Sequence, residues 1–278
     1  MKSFTGKVAA ITGAGSGIGR ALALELARRG SEVALCDIDA AALAETVALC
    51  APLGPRVTSA TIDVAERAAV YGWADRVVSE HGRVHLIFNN AGVSLVSGVE
   101  TASYDDLEWI VGINFWGVVY GTKAFLPHLR AAGEGHVVNI SSVFGITAAP
   151  NHGAYNATKF AVRGFTEALR LELEATGAPV SATCVFPGGI RTNIARRARF
   201  RTGIEGTLAA SAELSREQFE RSCRTTPAEA ATTILRAVQR NRRRVLVGLD
   251  AHAIDLLVRS SPGGSQRIVL AASRRMAK

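Results

Sequence analysis

Residues 8–20 read Val8-Ala9-Ala10-Ile11-Thr12-Gly13-Ala14-Gly15-Ser16-Gly17-Ile18-Gly19-Arg20. The first five are apolar or β-branched and suit a strand covered on both faces. After the glycines a helix is expected from about Gly17 to Arg29. A glycine cluster alone serves any tight turn. Between a strand and a helix it also lets the backbone approach a pyrophosphate at the positive end of the helix dipole. The spacing Gly13-xxx-Gly17-x-Gly19 widens the first turn of the GxGxxG pattern.

Working outward, short aliphatic runs alternate with longer helical stretches. Strands are predicted at 8–12, 32–36, 57–62, 84–89, 136–140, 180–185 and 244–247, and helices near 17–29, 39–50, 65–80, 104–131, 154–176 and 228–240. This rhythm is that of repeated βαβ units. The expected class is α/β: a Rossmann-type, doubly wound three-layer sandwich around a seven-stranded parallel sheet. No linker or repeat divides residues 1–278, so one domain is expected.

Two segments fall outside the rhythm. Residues 190–224 follow the sixth strand and are rich in Arg, Ala, Ser and Glu; they are expected to form one or two mobile helices as a substrate lid. The extension at 249–278 carries Ile254, Leu257 and Val258 on one helical face, then Pro262-Gly263-Gly264 and an apolar stretch from Ile268 to Ala272. An oligomer contact, a membrane-surface helix and a packed or frayed terminus all remain open for it.

Composition narrows the class. Lys and Arg number 32 against 24 Asp and Glu, a net charge of +8, with the excess gathered in 191–201 and 240–278. No nucleic-acid motif accompanies this charge, which points to a solvated basic face rather than a nucleic-acid partner. Cys36, Cys50, Cys184 and Cys223 are widely separated, with no metal-ligand spacing, so no metal is expected. The chain begins MKSFTGKVAAITG and enters its first strand at once, and it has no apolar run long enough for a membrane span; the expected location is cytoplasmic.

The chemistry-bearing residues follow the strands. Asp37 ends the second strand, where a carboxylate would hold the 2′-hydroxyl of an adenosine ribose; the alternative is an N-cap for the next helix, for which Asp39 serves equally. A 2′-phosphate about 4 Å from Asp37 would be repelled by roughly 4 kcal/mol per unit charge at an effective dielectric near 20, which favours NAD over NADP. Tyr155 and Lys159 stand one helical turn apart on one face. A free phenol titrates near pH 10, so about one in a thousand is ionised at neutral pH, and an ammonium one turn away is expected to lower that value. Ser142 closes the fifth predicted strand at the sheet's carboxyl end and is placed to donate to a substrate oxygen; Ser141, one residue off, should face elsewhere. Asn114 lies inside a predicted helix against its propensity and marks a local break.

From about Lys7 to Thr192 these residues together resemble the short-chain dehydrogenase/reductase family. The resemblance implies an NAD(P)-dependent alcohol dehydrogenase or ketoreductase with a catalytic tetrad of Asn114, Ser142, Tyr155 and Lys159, the asparagine holding a water that links the lysine to solvent. It implies NAD as cofactor, with NADP as the alternative, held by Gly13, Ser16, Gly17, Ile18 and Gly19 of the TGxxxGxG turn. Asp37, Asp63-Val64, Asn90-Ala91-Gly92, Tyr155 and Lys159 would line the same site, and Pro187, Gly188, Ile190 and Thr192 would face the nicotinamide. It also suggests a homodimer or homotetramer built through the two long helices.

The expected substrate is a hydrophobic secondary alcohol or ketone, with Val143, Phe144, Ile146, His152 and Phe200 as candidate walls. A second reading has the Arg191–Arg201 run receive a carrier- or CoA-linked 3-oxoacyl thioester. A third is a non-catalytic nucleotide-sensing or membrane-associated scaffold.

Overall fold

The computed structural model describes residues 1–201 and 223–276. Its main sheet contains β1 (Val8–Thr12), β2 (Glu32–Asp37), β3 (Val57–Thr61), β4 (Leu86–Asn89), β6 (Gly135–Ile140), β7 (Val180–Pro187) and β9 (Arg244–Val247). Their order is β3-β2-β1-β4-β6-β7-β9, and every neighbouring pair is parallel. The chain builds outward from β1 to β3, then returns to the other side of β1 as β4. That reversal opens a crevice at the carboxyl ends of β1 and β4.

Side chains on one strand alternate between two apolar layers. Ala9 and Ile11 of β1 point into one layer, where Phe88, Val138 and Val185 meet Leu22 and Leu26 of α1 (Gly17–Arg28) and Ile234, Leu235 and Val238 of α7 (Pro227–Gln239). α2 (Ala40–Cys50) adds Leu43 to the same layer. Val8 and Ala10 point the other way. There they join Ile87, Val137 and Ala182 against Trp73 and Val77 of α3 (Arg67–His81), Phe125 and Leu129 of α5 (Gly117–Ala131), and Leu169 and Leu173 of α6 (Gly153–Ala175). With both faces covered, inner strands such as β1 read as continuous apolar runs, whereas the edge strand β3 stays polar and half exposed.

Two features differ from the expected elements. The helix predicted over 104–131 is divided: α4 (Tyr104–Val111) leads through a π-helical turn, Gly112–Trp116, into α5, and Asn114 sits in that turn. A second, two-stranded parallel sheet pairs β5 (Leu95–Val96) with β8 (Arg199–Phe200), so residues 199–200 belong to a strand rather than a lid helix. Residues 202–222 of the expected lid lie outside the described residues. In the extension, α8 (Leu249–Ser260) is followed by α9 (Pro262–Met276); Pro262 is accommodated at the start of α9, because the first helical position needs no N–H donor. No helix among the described residues is long and apolar enough to cross a membrane.

Candidate active site

The glycine turn closes the carboxyl end of β1. Gly13 and Gly17 have φ of +64° and +54°, in the left-handed region that side chains with a Cβ rarely adopt. A methyl group at Gly19 would collide with the Gly13 carbonyl, and one at Gly13 would lie 2.8 Å from Cα of Ala91. The turn is braced from β4: Nδ2 of Asn90 donates to the carbonyls of Thr12 (2.9 Å) and Gly13 (3.1 Å), while Oγ1 of Thr12 accepts from the amides of Asn90 and Ala91. Ser16 caps α1 without a side-chain cap bond, and the first turn of α1 holds no acidic residue. The partial positive charge of this helix end is therefore met by neither a side-chain cap nor a first-turn carboxylate. Ile18 is partly buried against the core beside it.

Asp37 stands at the end of β2 and accepts from the amides of Gly15 (2.8 Å) and Asp39 (3.0 Å). The cap of α2 is Asp39, which accepts from the Ala42 amide and pairs with Arg197 at 3.0 Å. Arg20 is turned into α2, where it meets Glu45 and Thr46. On the adjacent strand end, Asp63 accepts from the Ala65 amide at 2.9 Å, and Val64 packs so closely on Gly117 that a Cβ there would lie 2.8 Å from its methyl.

Ser142 lies just beyond β6. Its hydroxyl accepts from the Phe144 amide at 3.1 Å and also forms a hydrogen bond with the phenol of Tyr155. Ser141 faces away and donates to the Lys159 carbonyl. Tyr155 and Lys159 occupy the first two turns of α6, both buried, with Nζ of Lys159 5.6 Å from the centre of the Tyr155 ring. That ammonium donates to the Ile140 carbonyl at 3.1 Å. A Cβ at Gly92 would lie 3.4 Å from Nζ of Lys159 and 3.2 Å from Oδ1 of Asn114, so Gly92 keeps this corner open. Asn114 is fully buried; it accepts from the Val93 amide (2.8 Å), donates to the Val93 carbonyl (2.9 Å) and reaches Oγ1 of Thr158. Its unusual place in a helical stretch is explained by a side chain that ties the π turn to the loop after β4 and to α6.

The chain's own surroundings shift the two titrating groups in a direction the sequence does not reveal. Burial pushes the Tyr155 phenol up to about 12, with the Ser142 hydrogen bond opposing it, and burial lowers Lys159 to about 8. Desolvation, which penalises phenolate and ammonium alike, is the largest influence on both groups and outweighs the expected acidification.

Around Tyr155 the wall is apolar. Phe144 meets its ring edge-on at a centroid distance of 6.1 Å and lies 5.4 Å from the His152 ring. Leu95 and Ile110 complete a buried cluster with Tyr155, against which Val93, Trp109 and Ile194 pack. Of the expected wall residues, Phe144 and His152 lie beside Tyr155. Val143 is buried in the turn after Ser142, and Phe200 pairs in β8 with Val96. Ile146 departs, packing instead on Cys184 and Phe186 of β7. Leu95, Trp109 and Ile194 carry no motif and sit in three separate segments, so only the chain's folding brings them together.

The basic run is largely engaged. Arg201 and Arg199 meet the buried carboxylate of Asp106, which Arg201 holds down at about 2, and Arg199 stacks 3.6 Å above the Trp109 ring. Arg191 donates to the Cys223 carbonyl. At the carboxyl end of β7, Pro187-Gly188-Gly189 turn beneath the crevice, Ile190 is buried, and the methyl of Thr192 would lie 3.0 Å from a Cβ on Gly17. Loop 187–192 thus spans from β7 to the glycine turn. No group of three or more His, Cys, Asp or Glu side chains fit to hold a metal occurs among the described residues.

Known proteins resemble this chain in sequence and in fold. SadH of Mycobacterium tuberculosis, named as an oxidoreductase, is 51% identical over 272 residues, covering 98% of this chain and 96% of that protein. Human estradiol 17-beta-dehydrogenase 11 is 38% identical over 194 residues, 69% of this chain and 64% of its own. A solved short chain dehydrogenase/reductase from Burkholderia phymatum, in complex with NAD, superposes with a TM-score of 0.85 at 34% identity over 94% of this chain and 96% of that one. Residues 7–202 match the family model described as short chain dehydrogenase, and this chain belongs to that family as an oxidoreductase.

Proposed function

We propose that the chain, acting as one catalytic unit, interconverts a hydrophobic secondary alcohol and its ketone with NAD. The observation that carries this reading is the convergence of Ser142, Tyr155 and Lys159 at the carboxyl end of β6, beside the glycine turn and facing an apolar wall. The glycine turn fits a dinucleotide: its backbone lies bare at a helix end with no side-chain cap, and Asp37 keeps lone pairs beyond the two it gives to amides. Gly13, Ser16, Gly17, Ile18 and Gly19 would hold the pyrophosphate, Asp37 the ribose, Asp63 and Val64 the adenine, and Asn90, Ala91 and Gly92 the floor of the cleft. The bound nicotinamide would accept or supply the hydride.

The chain's residues supply the rest. Ser142 donates to the substrate oxygen as negative charge gathers on it. Tyr155 exchanges the proton at that oxygen. With its phenol held near 12, Tyr155 is protonated at neutral pH and suited to carbonyl reduction; alcohol oxidation requires the Lys159 cation to offset that burial. Asn114 fixes the loop after β4, at Val93, close to Lys159.

Asp37 favours NAD, and the Burkholderia relative's NAD complex agrees with that preference, with NADP as the weaker alternative. The wall of Leu95, Trp109, Phe144 and Ile194 favours a bulky apolar substrate, in keeping with a relative named for estradiol. The ion-paired state of Arg197, Arg199 and Arg201 weighs against thioester docking. Exposed Trp116 and Phe160, beside and on the two long helices α5 and α6, support a homodimer or homotetramer through those faces. The test is a panel of alcohols and ketones, short linear to steroid-sized, with NAD(H) and NADP(H) read at the nicotinamide absorbance. Turnover of none of them would overturn the reading.

A further inference from the structure

The extension beyond β9 reaches back to the crevice. α8 starts two residues after β9 ends, and Asp250 in its first turn accepts from the Gly189 amide at 2.6 Å. The Gly188 amide, one residue earlier, donates to the Val247 carbonyl at 2.9 Å. A side chain at Gly188 or Gly248 would collide with the Asp250 carboxylate, so glycines on both sides make room for it. The rest of α8 is anchored. Ala251 is fully buried, Asp255 meets Arg244 and Arg259, and Val258 packs on the cluster of Ile146, Cys184 and Phe186. Ile146 ends the turn that Ser142 begins. One helix therefore supports both turns that border the crevice, the one after β6 and the one after β7.

We propose that Asp250 is a positioning residue for the Pro187-Gly188-Gly189 turn, fixing the backbone that would face the nicotinamide end of a bound dinucleotide; this rests on the nucleotide reading above. Two adjacent glycines are the most freely rotating pair a chain can hold, and a hydrogen bond of 2.6 Å to the Asp250 side chain pins one of their amides. Asp250 acts through that turn and not on the substrate. A carboxylate in a helix's first turn also complements the helix dipole. That role needs the charge, whereas holding Gly189 needs only an acceptor of the right reach.

The test titrates NADH and ADP-ribose, which lacks the nicotinamide, into wild type, Asp250→Ala, Asp250→Ser and Asp250→Asn. Asp250→Ala and the too-short Asp250→Ser should weaken NADH about tenfold while leaving ADP-ribose within about twofold, and Asp250→Asn, which keeps the acceptor, should bind both nearly as wild type. The proposal is overturned if NADH affinity is unmoved in Asp250→Ala and Asp250→Ser, if both nucleotides weaken alike, or if Asp250→Asn fails as badly as they do. Wild type binding neither nucleotide would instead remove the nucleotide reading itself.

Discussion

Asp37→Asn removes one negative charge and keeps a carbonyl oxygen to accept from the Gly15 or Asp39 amide, so the glycine turn retains part of its bracing. Against a 2′-phosphate about 4 Å away, the lost repulsion is roughly 4 kcal/mol per unit charge at an effective dielectric of 20 and about 1 kcal/mol in bulk water. Asp37 is neither buried nor fully exposed, so a value of about 1–3 kcal/mol applies, a gain of roughly 5- to 150-fold in the preference for NADPH relative to NADH. No new cation is expected at this corner, because Arg20 is committed to Glu45 and Thr46. The assay is fluorescence titration of both reduced nucleotides at low and high salt. The gain should shrink at high salt, since charges this close to solvent are screened over about 10 Å at 0.1 M. An unchanged NADPH to NADH ratio would mean that Asp37 only braces the turn.

Tyr155→Phe should lower kcat by at least about a thousandfold with little change in NADH affinity, because only the proton route is removed; retention of most turnover would refute its role. Acid should destabilise the fold through its buried histidines. Burial holds His85 at about 4 and His136 at about 3, so below the unfolded value of about 6.5 the unfolded chain takes up protons that the folded chain refuses. Their stabilising contribution is whole above that value and falls as pH drops, by about 2 kcal/mol each between pH 6.5 and 5, visible as a Tm loss of roughly 8–16 °C; equal Tm values at pH 7 and 5 would contradict this. Phe160→Asp on the exposed face of α6 should shift the assembly toward smaller species in sedimentation, and an unaltered profile would place the interface elsewhere.

Much of the fold was legible because its strands are buried on both faces. A strand such as Val8–Thr12 is apolar throughout, and no neighbour has to be known to recognise it. The widened helix at Asn114 was legible as a conflict between residue and helix, although its form as a π turn was not. The two-residue strands β5 and β8 were beyond reach, since pairing Leu95 with Arg199 depends on contacts far apart in the chain. The same holds for the wall around Tyr155 and for Asp250 under Gly189.

The local chemistry of the site came from the sequence alone: glycines where the turn demands left-handed backbone, a tyrosine and a lysine one turn apart, a serine at a strand's carboxyl end. These depend on neighbours along the chain, and periodicity reveals them. Only the tertiary structure decided the sheet order that opens the crevice, the capping of α2 by Asp39 rather than Asp37, the engagement of the arginine run, and the direction in which Tyr155 and Lys159 titrate. Each of these depends on how completely water is excluded and on which distant group arrives in its place, and neither is encoded in a spacing.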